Sequence, residues 1–224
     1  IYVKTFSNRD KITFIITNKK EFKLKEKDIV IVDFIKWEDI LPEAKIIERI
    51  GESGVTENEI HAILEEFQLP YKFNKEVKFE ADNLNNNNYT KEYLKRKDLR
   101  KITTLTIDPD DAKDFDDAIS LETLDEVNRV GVHIADVSFF LKKGSKLDKE
   151  AYERGTSVYL VDRVVPMLPE QLSNELCSLK PKEDKLTFSV VFDFNNKNEL
   201  IKFWAGRTVI NSDKRLSYKE AQYI

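Results

Sequence analysis

The sequence predicts an α+β fold in three parts: a group of N-terminal strands, a helical linker, and a mixed sheet with helices. Runs rich in β-branched and aromatic residues at 11–17, 28–37 and 43–50 predict three strands separated by charged turns. Helical spacing of apolar residues first appears after residue 54, and strand-like runs return from residue 103. Periodicity alone leaves open whether the first part is a small antiparallel barrel or a sandwich.

The linker is predicted to begin with a helix. Thr56 and Glu59 have the spacing of a capping box, and Pro70 is expected to end the helix. Its apolar face is predicted to consist of Ile60, Ile63, Leu64 and Phe67. The four asparagines of Asn85–Asn88 predict a loop, and a basic helical stretch is expected at about 90–100.

The remainder of the chain predicts a mixed sheet. Strands are expected at 103–107, 115–121, 129–137, 186–194 and 200–209, with a short helix near 146–154. The predicted domains are therefore residues 1–53, a linker at 54–101, and residues 102–224.

The two ends of the sequence indicate a piece of a longer protein. The chain begins with Ile1, and its one methionine is Met167. Ser217 and Glu220 have the spacing of a capping box that opens a helix, and the sequence stops at Ile224 before such a helix would be complete. We therefore expect further parts of the protein on both sides.

The composition excludes several classes of protein. Hydrophobic residues make up 41% of the 224 residues, which is enough for a core. The single cysteine excludes an internal disulfide framework and a zinc site built from cysteines, and it predicts a reducing compartment, the cytoplasm. No apolar run approaches the roughly 20 residues of a membrane span, and no signal peptide opens the chain, so we expect no membrane partner.

Charge is concentrated in one segment. The net charge is -4, but residues 108–126 alone hold nine acidic residues and one lysine, so the rest of the chain carries +4. An acidic patch on a basic background is typical of a metal-dependent enzyme that acts on a polyanion. A solvated surface with one acidic loop is the alternative that charge leaves open.

Four carboxylates in this segment predict a metal site. Asp108, Asp114, Asp116 and Asp117 follow a predicted strand within ten residues, and their mutual repulsion is expected to require a positive partner. A cluster of oxygen ligands without His or Cys favours Mg²⁺ or Mn²⁺ over zinc. The spacing fails the EF-hand pattern in either register, because Ala or Ile stands where that loop needs a ligand or Gly. A structural Asp loop or an adventitious cation site stays open.

Residues 106–118, which read T-I-D-P-D-D-A-K-D-F-D-D-A, are similar to the catalytic-core signature of the ribonuclease R and exoribonuclease II family. The ribonuclease R branch is the more similar of the two. The resemblance continues in five further blocks, at Val132–Val137, Arg154–Tyr159, Val165–Glu170, Leu172–Leu179 and Gly206–Ser212.

The resemblance implies a Mg²⁺-dependent, processive 3′-to-5′ exoribonuclease that converts single-stranded RNA to nucleoside 5′-monophosphates. It implies that Asp108, Asp114, Asp116 and Asp117 are the catalytic and metal-binding residues, and that loss of Asp116 abolishes cleavage but leaves RNA binding intact. Tyr159 resembles the tyrosine that packs against the 3′-terminal nucleotides.

The resemblance also implies the architecture. Residues 1–53 resemble the second of the family's two cold-shock, OB-type barrels, and 102–224 resemble the first part of its mixed α/β RNB-type catalytic domain. The family's catalytic arginine, glutamate and base-clamping phenylalanine would follow residue 224, so these 224 residues alone are expected to be inactive. The full-length protein is expected to be a monomer. An OB-type RNA-binding module with a non-cleaving catalytic-like domain is the alternative.

The other residues of these blocks suggest structural roles. His133 and Asp136 lie in a strand-like run and are expected to be structural, and Cys177 is expected to be a small buried residue. Arg207 fits a phosphate contact and a salt bridge about equally well.

Overall fold

The computed structural model describes residues 1–6, 11–85 and 87–223, which form two compact units, residues 1–71 and 72–224. The predicted α+β class and the barrel-like first unit are confirmed. The sequence predicted three parts, with limits at 53/54 and 101/102, whereas the structure groups residues 72–101 with the larger unit.

The first unit contains four strands, β1 (Tyr2–Lys4), β2 (Thr13–Ile16), β3 (Asp28–Lys36) and β4 (Glu43–Glu52), which form one sheet in the order β1-β2-β4-β3. Three register shifts between β3 and β4 bend these strands, which is the device by which a sheet curls towards a barrel. The small core beneath it consists of Ile16, Ala44 and Ile46, with partly buried neighbours that include Phe14.

Helix α1 (Thr56–Glu66) follows β4, but its predicted capping box is wrong. Thr56 is the first helical residue, and the cap position is Val55, which makes no side-chain cap hydrogen bond. The Glu59 carboxylate accepts instead from Ser53 Oγ (2.8 Å) and the Gly54 N–H (2.7 Å), so it stabilises the turn before the helix. Of the helix residues, the structure buries Ala62 and Leu64, whereas the predicted Ile63 and Phe67 are exposed.

The second unit is built on a seven-stranded mixed sheet. The five predicted strands and the predicted helix at 146–154 are present. The strands of the sheet are β5 (Lys97–Asp98), β6 (Thr104–Asp108), β7 (Asp117–Leu124), β8 (Val127–Ala135), β11 (Asp184–Asn195), β12 (Leu200–Asn211) and β13 (Lys214–Ser217), and a separate hairpin pairs β9 (Val158–Tyr159) with β10 (Val164–Val165). Within the sheet the strand order is β13-β6-β7-β8-β11-β12-β5.

The helices of this unit are α2 (Lys75–Asn85), α3 (Thr90–Tyr93), α4 (Val137–Phe140), α5 (Lys146–Arg154) and α6 (Tyr218–Gln222), with a π-helical turn at Gln171–Leu176. The predicted basic helix at 90–100 is wrong beyond residue 93, because residues 97–98 pair with β12 as a strand. The predicted asparagine loop is only partly correct, because α2 extends to Asn85; Asn86 lies outside the described residues.

One face of the seven-stranded sheet is covered and the other is largely apolar and exposed. The covered face contributes to a core with α2, α5 and the π-helical turn, in which Val77, Leu147, Leu172, Leu179 and Ile210 are almost completely buried. The opposite face presents a row of exposed apolar side chains, at Ile119, Leu121, Ile134, Phe188 and Phe203.

Candidate active site

The acidic loop, residues 109–116, joins two neighbouring strands of the large sheet. Strand β6 ends at Asp108 and its antiparallel neighbour β7 begins at Asp117. Along β6, Thr104, Thr106 and Asp108 alternate onto the covered side, as a two-residue period requires. The topology therefore brings both ends of the acidic loop to the same end of these two neighbouring strands.

The four predicted carboxylates are close enough to influence one another. Burial raises the pKa of Asp116, and the charges of Asp114, Asp117 and Asp108 raise it further. Burial also raises the pKa of Asp108, with smaller contributions from Asp117 and Asp114. The structure thus places Asp108, Asp114, Asp116 and Asp117 in one electrostatic site, where negative charge is costly.

Hydrogen bonds from other elements hold the ends of the acidic loop. The Ala135 N–H of β8 donates to the Asp116 carbonyl at 2.8 Å. At the other end, the Arg215 guanidinium of β13 donates to the Pro109 carbonyl and lies 5.7 Å from the centre of the Phe115 ring. Its positive charge also opposes the rise in the pKa of Asp108. Sequence reasoning missed Arg215, because its proximity depends on the parallel pairing of β13 with β6.

Tyr159 lies beside the carboxylates. It is the last residue of β9 and is 68% exposed. The charge of Asp114 raises the pKa of the Tyr159 hydroxyl, followed by burial, the charge of Asp116 and a hydrogen bond to the Asp114 side chain. The structure therefore brings the predicted RNA-binding tyrosine to the predicted metal-binding residues, with most of its side chain open to solvent.

The residues expected to be structural are buried and paired. His133 is fully buried, and its ring nitrogens contact Ser189 Oγ (2.7 Å) and Ser120 Oγ (2.9 Å). Asp136 is buried against Arg96 at 2.8 Å, and Arg207 lies 3.6 Å from the same carboxylate. Cys177 is also buried, and burial raises the pKa of its thiol to about 12.

The carboxylate oxygens of the four aspartates are suitable ligands for a hard divalent cation. Within residues 1–6, 11–85 and 87–223, no three His, Cys, Asp or Glu side chains are already arranged as a metal-binding group. However, Asp108 Oδ2 is buried and has no hydrogen-bond partner among those residues, and all four carboxylates supply the oxygen ligands that Mg²⁺ prefers. A cation would satisfy this oxygen and offset the mutual repulsion.

Comparisons with known proteins identify the class. Residues 96–224 match the family model described as RNB domain, and residues 2–74 match the model described as Cold shock domain. The chain therefore belongs to the RNB family, and the resemblance stated from its motifs is confirmed.

Two relatives agree with this assignment, and a third agrees in fold. Ribonuclease R of Thermotoga maritima is 44% identical over 181 residues, which are 80% of this chain and 26% of that protein. RNase R of Mycoplasma genitalium, solved in complex with double-stranded RNA, has a TM-score of 0.87 at 28% identity, covering 94% of this chain and 38% of that one. Yeast Ssd1, described as a pseudonuclease, has a TM-score of 0.73 over 99% of this chain and 29% of its own, and its 16% identity supports the fold alone.

The chain spans about a quarter of the length of the curated relative and 38% of the solved Mycoplasma chain. Among the residues that the structure describes, no helix combines the length and the hydrophobicity that a membrane span requires.

Proposed function

We propose that this chain is part of a Mg²⁺-dependent, processive 3′-to-5′ exoribonuclease that hydrolyses single-stranded RNA to nucleoside 5′-monophosphates. The observation that carries the proposal is the cluster of Asp108, Asp114, Asp116 and Asp117 at one edge of an RNB-domain sheet, with Asp108 Oδ2 buried and without a hydrogen-bond partner among the described residues. Mn²⁺ is the alternative cation for the same ligands.

The four carboxylates would hold the cation. When bound, a divalent cation supplies activated water and stabilises the leaving oxygen in phosphodiester hydrolysis. The chain's own contribution is to keep these groups together despite their repulsion, through the strands that carry Asp108 and Asp117 and the hydrogen bonds that hold the loop between them.

Tyr159 is proposed to bind the 3′-terminal nucleotides. Its exposed ring stands beside Asp114, where it can stack on a base, and such stacking is worth about 1–3 kcal/mol per base without regard to sequence. Its hydroxyl lies near enough to Asp114 for the charge of that residue to raise its pKa, so a stacked base would be held beside the carboxylates.

The cold-shock unit is proposed to bind single-stranded RNA weakly. Phe6 and Trp37 are exposed and free to stack, whereas Phe14 packs against the core of this unit. We expect this binding to weaken steeply with salt, because contacts between lysine or arginine and phosphate dominate it.

The test uses the intact gene product that contains this chain. It is incubated with 5′-labelled single-stranded RNA in Mg²⁺ or in EDTA, and the products are resolved on a gel. We expect a short end product without long intermediates in Mg²⁺ and intact RNA in EDTA. Asp116→Asn should abolish cleavage and retain RNA binding, whereas the exposed turn residue Asp125, which has a positive φ of 47° that asparagine tolerates, supplies the control Asp125→Asn.

The second candidate is a non-cleaving RNA-binding protein, for which the exposed aromatic side chains of Phe6 and Trp37 in the cold-shock unit would suffice. RNA that is bound but intact in both Mg²⁺ and EDTA would support it and refute the exonuclease proposal.

We further propose that the full-length protein is monomeric and cytoplasmic, and that the 224 residues alone lack activity. Substantial Mg²⁺-dependent cleavage by these 224 residues would contradict the proposal that they are inactive.

A further inference from the structure

The acidic loop is also held in its second half, between two of its carboxylates. The Phe115 N–H donates to Ser178 Oγ at 3.0 Å, and Ser178 Oγ donates to the Lys113 carbonyl at 3.1 Å. The next residue continues the contact, since the Leu179 N–H donates to the Phe115 carbonyl at 2.8 Å. One serine hydroxyl and one backbone amide therefore fix the peptide groups on both sides of Phe115.

The segment that supplies these bonds is a rigid support. Ser178 and Leu179 are both fully buried, and Leu179 belongs to the main core of the unit. Ser178 closely follows the π-helical turn Gln171–Leu176, whose end is closed by a bond from the Cys177 N–H to the Leu172 carbonyl at 2.8 Å. A buried hydroxyl with two hydrogen-bond partners has one low-energy orientation. It therefore restricts the positions of the two peptide groups to which it is bonded.

Phe115 anchors the acidic loop to the core of the second unit. Its side chain packs against the core, and Asp114 and Asp116 stand on either side of it. Because the backbone at Phe115 is fixed on both sides, the directions of the two flanking carboxylates are fixed with it. Ser178 lies 62 to 64 positions further along the chain and touches neither carboxylate in the contacts just described, so its influence runs through the backbone.

We propose that Ser178 is a positioning residue that holds the backbone between Asp114 and Asp116 so that both carboxylates reach the same site. The expected changes in kcat and in the Mg²⁺ requirement rest on the proposed function. The expected change in the backbone of the acidic loop rests on the hydrogen bonds alone. Removing the hydroxyl leaves the Phe115 N–H and the Lys113 carbonyl without this partner, and the loop relaxes.

The test compares variants of the intact gene product. Ser178→Ala removes both hydrogen bonds, and Ser178→Cys fills the same space with a slightly larger group that bonds only weakly. Ser189→Ala is the matched control, because Ser189 is also a fully buried serine with two side-chain partners, His133 and Thr208. The readouts are kcat and KM on single-stranded RNA, the Mg²⁺ concentration for half-maximal activity, RNA affinity in EDTA, and amide hydrogen exchange of residues 109–117.

We expect both Ser178 variants to lower kcat by about 10- to 100-fold, the scale of a misplacement of about 1 Å, and to raise the Mg²⁺ requirement without changing RNA affinity in EDTA. Amide exchange should accelerate in residues 109–117, whereas Ser189→Ala should leave that segment, the kcat and the Mg²⁺ requirement as in the parent. If Ser178→Ala does not fold, the better-packed Ser178→Cys decides the question by the same readouts.

Two results separate this inference from the proposed function. If the parent protein does not degrade RNA, the proposed function fails, and exchange in residues 109–117 still decides the positioning role. If the Ser178 variants change kcat no more than Ser189→Ala, or exchange in 109–117 is unchanged, Ser178 does not position the carboxylates.

Discussion

His133 provides a pH-dependent test of the second unit. Its imidazole is fully buried between Ser120 and Ser189, and burial lowers its pKa from 6.5 to about 4. The fold therefore favours the neutral ring over the charged one. In the unfolded chain the same ring takes up a proton near its ordinary pKa of about 6.5.

The sign of the effect follows from this difference. Above pH 6.5 both states hold a neutral His133, and its contribution to stability is complete. As the pH falls from 6.5 towards 4, the unfolded state binds the proton first, so the free energy of unfolding decreases. The full loss below pH 4 is about 3 kcal/mol at 1.36 kcal/mol per pKa unit, and the part lost between pH 8 and pH 5 is about 2 kcal/mol.

The measurement compares urea unfolding at pH 8 and pH 5 for the parent chain and for His133→Gln. Both carry Trp37→Phe, so the fluorescence of Trp204 on β12 reports the second unit. The parent should lose about 2 kcal/mol more than His133→Gln over this interval. His61→Gln, which removes the other histidine of the chain, is the matched control.

Equal pH dependence in the parent and His133→Gln would refute the reasoning, even if the variant were less stable at both pH values. A direct check is the ring chemical shift of His133 by NMR, which should titrate at about pH 4 in the folded protein. A midpoint near 6.5 would show that the ring takes its charge without cost.

Two further predictions concern the same unit, both measured by urea unfolding. Gly131→Ala places a Cβ 2.4 Å from Ser120 Oγ, so it should destabilise the unit by about 1–3 kcal/mol, and an unchanged midpoint would contradict the tight fit. Asp136→Ala removes the carboxylate 2.8 Å from the buried Arg96 guanidinium, which keeps Glu92 at 3.0 Å, so it should cost about 1.5–3 kcal/mol; a loss below about 1 kcal/mol would mean that Glu92 alone compensates the charge.

The sequence correctly predicted the helices and caps that depend on contacts between residues close together in the chain. The helix at 146–154 is bounded as expected, with Ser145 as its cap, accepting from the Asp148 N–H at 3.1 Å. The capping box of Ser217 and Glu220 also forms in full. In both cases the deciding contacts join residues three positions apart, which the sequence displays directly.

The prediction was wrong where a distant partner decides the local structure. Residues 97–98 have a helix-compatible sequence, but they pair with residues 208–209 of β12 and become a strand. Likewise, the Thr56 and Glu59 spacing matched a capping box, yet Glu59 bonds the preceding turn at Ser53 and Gly54. Spacing shows which contacts are available, and it does not decide among competing partners.

The candidate site shows the same division. Side chains that carry the chemistry are visible in the sequence, because four carboxylates within ten residues repel one another and so indicate a cation site. The groups that hold them are invisible there: Ser178 acts on a peptide group 63 positions away, and Arg215 reaches Pro109 only because β13 lies beside β6. Repulsion among the carboxylates works against this site, so its geometry must be imposed by bonds that do not involve the carboxylates. A substitution in those supports should therefore impair the site as surely as one in the acids, although no pattern in the acidic segment would reveal it.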